Sequence, residues 1–446
     1  MYNTQTAHSL TSQQKEAIGL LSMGTFLEYF DLLLYVHMAV LLNELFFPKA
    51  DPFTASLHSA FAFCSTYVLR PFGALLFGYI GDNIGRKATV IITTMMMSLS
   101  CILMATLPTY SQIGITAAWV VTICRMVQGL SAMGEVTGAN IYITEITKPP
   151  IQYPAVTITS ICSALGGVFA LAVATFVTSF NFNWRIAFWI GALVAIVGAV
   201  ARTRLRETPD FADAKRRVKK ALAQIKRDPK ILKENVIWVE KVNKKTALSL
   251  FFIECSWPVC FYLAYMYCGN ILKNLFHFTP EQVIHQNFIV SLIQLFAWVI
   301  LSYLSYKIYP LKIVRVRLVI FTIFILFCPY FLDNIQSSFQ MLLIQSVIAV
   351  FGYMGTPAMP IFYKRFPVFK RFTCTTFAYA LSRAFIYIVT SFGLVYCSEY
   401  LGNWGILVIV IPTAILFIYG LNHFEELEKE DFDRLQKGGD ELRQAS

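Results

Sequence analysis

Gly78-Tyr79-Ile80-Gly81-Asp82-Asn83-Ile84-Gly85-Arg86-Lys87 lies between two long apolar runs, and its reading decides the fold. Glycines let two helix ends approach closely, while Asp82, Arg86 and Lys87 are costly to place in hydrocarbon. The stretch therefore describes a polar hinge that holds two membrane-spanning helices together. Its basic residues fix both helix ends on the cytoplasmic side. Gly81, Asp82, Gly85, Arg86 and Lys87 are accordingly the candidate gating residues.

Outward from the hinge, 57% of the 446 residues are apolar and only 14% are charged. The mean hydropathy is +0.58. A soluble domain carries about 25% charged residues, so the chain belongs in a bilayer. Apolar bands long enough to cross about 30 Å of hydrocarbon fall near 16–44, 55–81, 88–108, 116–146, 153–180, 184–203, 246–272, 279–307, 313–333, 338–363, 372–397 and 402–421. The expected fold is all-α, with twelve transmembrane helices. Spans well beyond 20 residues imply tilt, kinks or stubs outside the membrane.

Lys and Arg crowd the loops at 86–87, 202–245, 307–317 and 364–371, whereas the alternate loops hold little beyond Lys49 and Lys273. The positive-inside rule then places both termini in the cytoplasm. The formal net charge of +11 is a topology signal and calls for no nucleic acid. The first apolar stretch is too long, and too charged at Glu28 and Asp31, for a cleavable signal peptide. The ten cysteines sit mostly inside spans without metal-ligand spacing and read as small buried hydrophobes. There is no Asn-x-Ser/Thr sequon, which fits a bacterial inner membrane. Neither metal nor cofactor is expected. The partners are a small solute, a proton and the lipid bilayer, and the chain is expected to act as a monomer.

Six spans precede residues 204–245 and six follow, so residues 1–203 and 246–421 read as two six-helix bundles joined by a basic cytoplasmic linker. Within the linker, Phe211, Val218, Leu222 and Ile225 recur at helical spacing between Pro209 and Asp228, as in a helix lying along an anionic leaflet. The polar tail, 422–446, offers Phe424, Leu427, Phe432 and Leu435 for one short helix that Gly438-Gly439 should stop.

Ionisable residues inside spans usually face protein or water and have a role. Glu28 and Asp31 share one face of the first span. Two carboxylates so close do not both ionise easily in a dry site, which suits a proton carrier; the plain alternative is a structural ion pair. In the fourth span Arg125, Gln128, Ala132, Glu135, Ala139 and Tyr142 form a polar-and-small stripe. Arg125 and Glu135 are about 15 Å apart along the axis, so each needs a partner elsewhere. Arg70 precedes Pro71 in the second span, and Arg383 lies within the eleventh. Glu254 stands in the seventh near Trp257, Tyr262, Tyr265 and Tyr267. Those rings suit either a cage for a quaternary ammonium or ordinary packing.

Taken together these stretches resemble a known family. The hinge resembles the loop motif between the second and third helices of the major facilitator superfamily. Phe26-Leu27-Glu28-Tyr29-Phe30-Asp31 with Tyr35, Arg70-Pro71-Phe72-Gly73, and Arg125-Met126-Val127-Gln128-Gly129 with Gly134-Glu135 resemble its metabolite:proton symporters. Trp184-Arg185, Arg206-Glu207-Thr208-Pro209-Asp210-Phe211 and Phe366-Pro367 through Arg371, with Tyr379 beyond, continue the likeness over nearly the whole chain. The resemblance implies two six-helix bundles and proton-driven uptake by alternating access. Members carry proline and betaine, oxoglutarate, citrate or shikimate, and the proline/betaine branch is the first placement. The first, fourth, seventh and tenth helices should line the cavity. Glu28, Asp31 and Glu135 are then the proton-coupling candidates, balanced by Arg70 and Arg125. Arg70, Arg125, Tyr35, Glu254, Tyr262 and Arg383 are the substrate-binding candidates. Glu145 joins the gating set as the expected partner of Arg86.

Two departures stand out. Where the second half should repeat the hinge, Leu301-Ser302-Tyr303-Leu304-Ser305-Tyr306-Lys307 lacks both acid and arginine, and Lys364 replaces an acid ahead of Phe366-Pro367. The second gate must be held differently. Three alternatives to the osmolyte symporter are a dicarboxylate symporter, an uncoupled facilitator or exchanger, and a multispan membrane enzyme. The enzyme would need a nucleophile or base constellation, and there is no His-x-x-x-x-Asp pair, His cluster or Cys-x-x-Cys.

Overall fold

The computed structural model describes residues 9–46, 67, 69–179, 183–202, 216 and 241–444. The start of the second span and most of the linker, including the expected helix from Pro209 to Asp228, lie outside the described residues. Helices follow the expected spans: α1 (Ser12–Phe46), α2 (Arg70–Asn83), α3 (Arg86–Thr106), α4 (Ile115–Ile146), α5 (Gln152–Ser179) and α6 (Arg185–Arg202) in the first half. The second half contains α7 (Lys244–Phe276), α8 (Pro280–Lys307), α9 (Pro310–Asp333), α10 (Ser338–Phe351), α11 (Val368–Leu401) and α12 (Gly405–Gln444). Among the described residues no strand occurs, as lipid requires, since a helix satisfies its own backbone. Seven described segments, in α1, α3, α5, α7, α8, α11 and α12, are long and apolar enough to cross a membrane.

Local chemistry sets the helix ends. Pro71 opens α2, and capping boxes at Thr279/Gln282 and Ser337/Gln340 start α8 and α10. Gly85 caps α3 at φ 145°, a backbone that side-chain-bearing residues rarely adopt. The hinge needs that glycine for the turn itself. Pro258 removes one donor from α7, and the helix widens into a π turn at Tyr262–Tyr267.

Two expectations change. The tenth span is not one helix over 338–363: α10 stops at Phe351, and a short helix, Met359–Lys364, follows. Gly352, Gly355 and Pro357 break it. Arg317 then donates to the carbonyls of Val350 (2.9 Å), Gly352 (3.1 Å) and Thr356 (3.1 Å), satisfying backbone that would otherwise be orphaned. The tail helix does not stop at Gly438-Gly439 either, since α12 runs through to Gln444. Glycine costs a helix about 1 kcal/mol, which is a penalty and not a stop.

Within the first half α1 packs on α5 and α3 on α6; within the second, α7 packs on α11 and α12. The halves meet along α2–α11 and α5–α8. Phe30, Phe46, Trp184 and Phe188 belong to one core of the first half, and Phe321, Tyr353, Phe362 and Phe417 to the second. The α1–α5 seam is closest at Gly166, where an added Cβ would lie 2.2 Å from the Phe26 carbonyl oxygen and 3.0 Å from the Phe30 nitrogen. Both are backbone atoms and cannot rotate away. Gly166→Ala should therefore cost about 1–3 kcal/mol, visible as a lower thermal midpoint of the detergent-solubilised protein. An unchanged midpoint would mean that the seam tolerates separation.

Candidate functional site

Helix geometry brings four elements together at one depth. Arg70 lies twelve residues from Asp82 on α2, and Arg383 twelve from Arg371 on α11. At 1.5 Å per residue each is about 18 Å from the hinge end, close to the middle of a 30 Å hydrocarbon layer. Glu254, ten residues into α7, is at similar depth.

Arg383 and Glu254 form a buried ion pair, with Nη1 2.9 Å from Oε2. The same nitrogen approaches the Glu254 carbonyl (3.3 Å) and the Ser382 hydroxyl (3.2 Å). The Arg383 guanidinium also sits 3.3 Å from the ring centre of Tyr379, one turn away on α11. Tyr29 of α1 lies within electrostatic reach of Tyr379 and Arg383, so the cluster crosses between the halves. On the other side, Arg70 lies over the ring of Tyr67 at 4.4 Å, and Tyr67 meets Tyr387 of α11 at 4.6 Å between ring centres. Tyr387 is within electrostatic reach of both arginines.

Arg70 is the unusual member. It is buried, yet its Nε and Nη2 find no acceptor, and among the described residues no carboxylate pairs with it. The expectation that Arg70 balances Glu28, Asp31 and Glu135 turns on the side chains of Asp31 and Glu135, which lie outside the described residues. A buried guanidinium with no counter-charge among its described neighbours is costly and suits an anion.

The other candidates separate. Glu28 is buried on α1 and borders a cavity of about 10 Å³ with Thr93, Thr94 and Ser131, room for about one water. Arg125 donates from Nη1 to Gln128 of its own helix at 2.9 Å. Asp31 and Tyr35 lie in α1, Arg86 in α3 and Glu135 in α4, but their side chains are outside what is described. Three of the four rings named on α7 have described partners of their own, as ordinary packing would give them. The Tyr265 hydroxyl is 3.2 Å from Ser291 and donates to Gln294 at 3.0 Å, the Tyr267 hydroxyl donates to Asn403 at 2.7 Å, and Trp257 packs on Trp298. Those rings are committed inside the second bundle, leaving Tyr262 half-buried. The rings around the arginines are instead Tyr29, Tyr67, Tyr379 and Tyr387. Three members on α11, at 379, 383 and 387, repeat every four residues, a stripe the sequence already contained.

The basic end is closed between the halves. Asp82 accepts from the Phe372 and Thr373 backbone nitrogens at 3.2 and 2.8 Å and from the Thr373 hydroxyl at 2.7 Å. These donors lie in the first turns of α11, at its positive end. Glu145 pairs with Arg371 at 2.9 Å, both side chains buried. Lys364 donates to Gln152 at 2.9 Å, and Gln152 in turn donates to the carbonyls of Thr144 and Thr147. Gly81 faces the ring of Phe372, where an added Cβ would lie 2.8 Å from it. Lys87 is half-buried at the start of α3. The hinge therefore reaches the eleventh helix directly, and the described partner of Glu145 is Arg371. The expected Glu145–Arg86 contact involves a side chain outside the description.

The model of the family described as Major Facilitator Superfamily matches residues 21–394. The proline/betaine transporter of Salmonella typhimurium is 30% identical over 276 residues, 60% of this chain and 54% of that protein. The proline/betaine transporter of Escherichia coli K12 is 36% identical over 204 residues, 44% of this chain and 41% of that protein. The chain thus spans about half the length of the curated relatives it matches. Among solved structures, the proton:xylose symporter XylE superposes with a TM-score of 0.73 at 14% identity, over 93% of this chain and 96% of that one; at that identity the likeness concerns fold alone.

Proposed function

The chain belongs to the Major Facilitator Superfamily, and from that premise we propose that it is a secondary active transporter, a proton-coupled symporter of a small polar osmolyte or metabolite working by alternating access. The observation that carries this is Arg70, a buried guanidinium with open donors in a cluster shared by both halves. Arg383 is already neutralised by Glu254, so among the described residues the cluster offers one open positive charge. That favours a solute with a single carboxylate over a dicarboxylate. The faces of Tyr67, Tyr379 and Tyr387 suit an onium group, and a zwitterion of the proline/betaine kind would use both features. The names of the relatives support the same choice.

Residues 1–203 and 246–421 are then the two rocking bundles, 204–245 the linker and 422–446 the tail, in a bacterial inner membrane with both termini in the cytoplasm. The basic end is the cytoplasmic one, and the closed state described here is shut towards the cytoplasm. One chain contains every element of the cluster, and it functions as a monomer. Glu28, Asp31 and Glu135 are the coupling carboxylates. Coupling requires that protonation stabilise one state more than the other.

Purified protein in liposomes with an imposed pH gradient tests the proposal, with proline and glycine betaine as probes. Wild type should drive proton flux when either is added. Asp31→Asn should abolish accumulation yet retain exchange, and Glu28→Gln should do so more weakly. Unaltered accumulation and pH dependence in Glu28→Gln, Asp31→Asn and Glu135→Gln would make the carboxylates structural. A wild type that moves solute without protons would establish the facilitator instead.

A further inference from the structure

The second half lacks an acid in the turn between α8 and α9, yet three basic side chains gather at that end: Lys245, Arg315 and Arg365. Their acids come from the far end of the chain. Glu425, Glu428 and Asp431 recur every three residues along the extension of α12, on one face. Arg315 donates to Glu425 from Nε at 3.2 Å and again from Nη2, which also reaches Asn422 at 2.6 Å. Arg365 forks between Glu428 and Asp431, and the Tyr309 hydroxyl donates to Glu428. Phe424 packs on Phe362 with ring centres 4.4 Å apart, and His423 meets the Thr246 hydroxyl at 3.0 Å. Lys245 adds an exposed contact to Glu426 at 3.6 Å.

Arg365 sits between residues that bridge the halves. Lys364 before it donates to Gln152 of the first half. After it, the Phe366 carbonyl accepts from Arg371 Nε at 3.3 Å, and Arg371 pairs with Glu145. Holding Arg365 therefore fixes the short helix Met359–Lys364 and the turn into α11 at the height where they meet α4 and α5.

We propose that the α12 extension from Asn422 to Asp431 is the positioning strap of the second half's cytoplasmic gate, supplying in trans along the chain the acids that the α8–α9 turn lacks. Its acids touch no transported solute; they act through Arg365. Partly exposed pairs contribute modestly one by one, so the strap biases the closed state without locking it, as a carrier that must reopen requires.

Native Cys374 gives the readout. It is half-buried beside Thr373, whose backbone and hydroxyl hold Asp82. Full-length protein in inverted vesicles is treated with a membrane-impermeant maleimide, and modification of Cys374 is followed by peptide mass spectrometry. The readout needs neither solute nor proton gradient, so it fails or succeeds independently of the symport proposal. The double variant Glu428→Gln/Asp431→Asn should react about three- to tenfold faster than wild type, the size expected from losing two such pairs. Combining Arg365→Glu with Glu428→Lys and Asp431→Lys should return the rate to within about twofold, since the attraction is restored with reversed sign. Tyr309→Phe, which deletes one hydrogen bond and is the variant to use if the double one does not fold, should give a smaller increase. Unchanged labelling in folded variants overturns the proposal. So does a lowered thermal midpoint with unchanged labelling, because the extension would then brace the bundle without touching the gate.

Discussion

Replacing Arg70 by methionine should, on the proposed function, abolish uptake of proline and glycine betaine while raising the thermal midpoint of the purified protein. The two effects have one cause. Arg70 is buried, its Nε and Nη2 have no hydrogen-bond partner among the described residues, and its described compensation is the Tyr67 ring at 4.4 Å, worth about 0.5–2 kcal/mol. Exchanging a buried charge for an apolar chain of similar length typically returns about 1–4 kcal/mol. Losing a buried charged partner of the solute costs about 2–5 kcal/mol of affinity, a fall of roughly 30- to several-thousand-fold. Arg383→Met supplies the contrast. It also removes uptake, but it strands the Glu254 carboxylate and should lower the midpoint. Arg70→Lys keeps the charge without the planar fork and should fall between wild type and Arg70→Met. Uptake near wild type in Arg70→Met would refute the anion seat. A midpoint that drops as far as in Arg383→Met would mean that Arg70 holds the fold together.

The helices were legible because a bilayer leaves no alternative for long apolar runs, and the hinge was legible because Asp82, Gly85 and Arg86 stand where apolar residues would otherwise continue. Pairings were not. Asp82 meets Thr373 across 291 positions, and Glu145 meets Arg371 across 226; residue types say that a buried charge needs a partner but not which one. The rings on α7 cluster in sequence, which suits a cage and packing alike; in the fold Tyr265 and Tyr267 lie in the π turn and bond Gln294 and Asn403. Arg317 falls in sequence at the edge of the basic loop 307–317, yet it holds the broken end of α10 through three carbonyls. The second hinge lacks its acid in the sequence itself, whereas the acids that meet this end lie more than a hundred residues downstream, as in the Tyr309–Glu428 contact, and no local spacing marks them. Local spacing carries local structure, and the gates are built from contacts that have none.

Breaking the Glu145–Arg371 pair should leave the carrier open at its basic end and, on the proposed function, unable to accumulate solute. In the closed state both side chains are buried and 2.9 Å apart, so Arg371→Ala takes away the described partner of a buried carboxylate, a change that costs up to about 3–5 kcal/mol. Parting the halves at this end lets water reach Glu145, and most of that cost disappears in the open state. The whole difference therefore acts on the equilibrium, shifting it by roughly a hundred- to several-thousand-fold. Uptake should fall more than about tenfold with normal expression, and backbone hydrogen exchange over residues 366–376, where Asp82 holds the first turns of α11, should accelerate. Glu145→Arg combined with Arg371→Glu keeps the pair with reversed polarity and should recover part of both readouts. Asp82→Asn weakens a different contact, three hydrogen bonds to a helix terminus, and should act in the same direction with a smaller shift. Arg371→Ala with uptake within about twofold of wild type and unchanged exchange would show that closure at this end does not depend on the pair. A lost uptake with unchanged exchange would instead move Arg371 from the gate to the solute pathway.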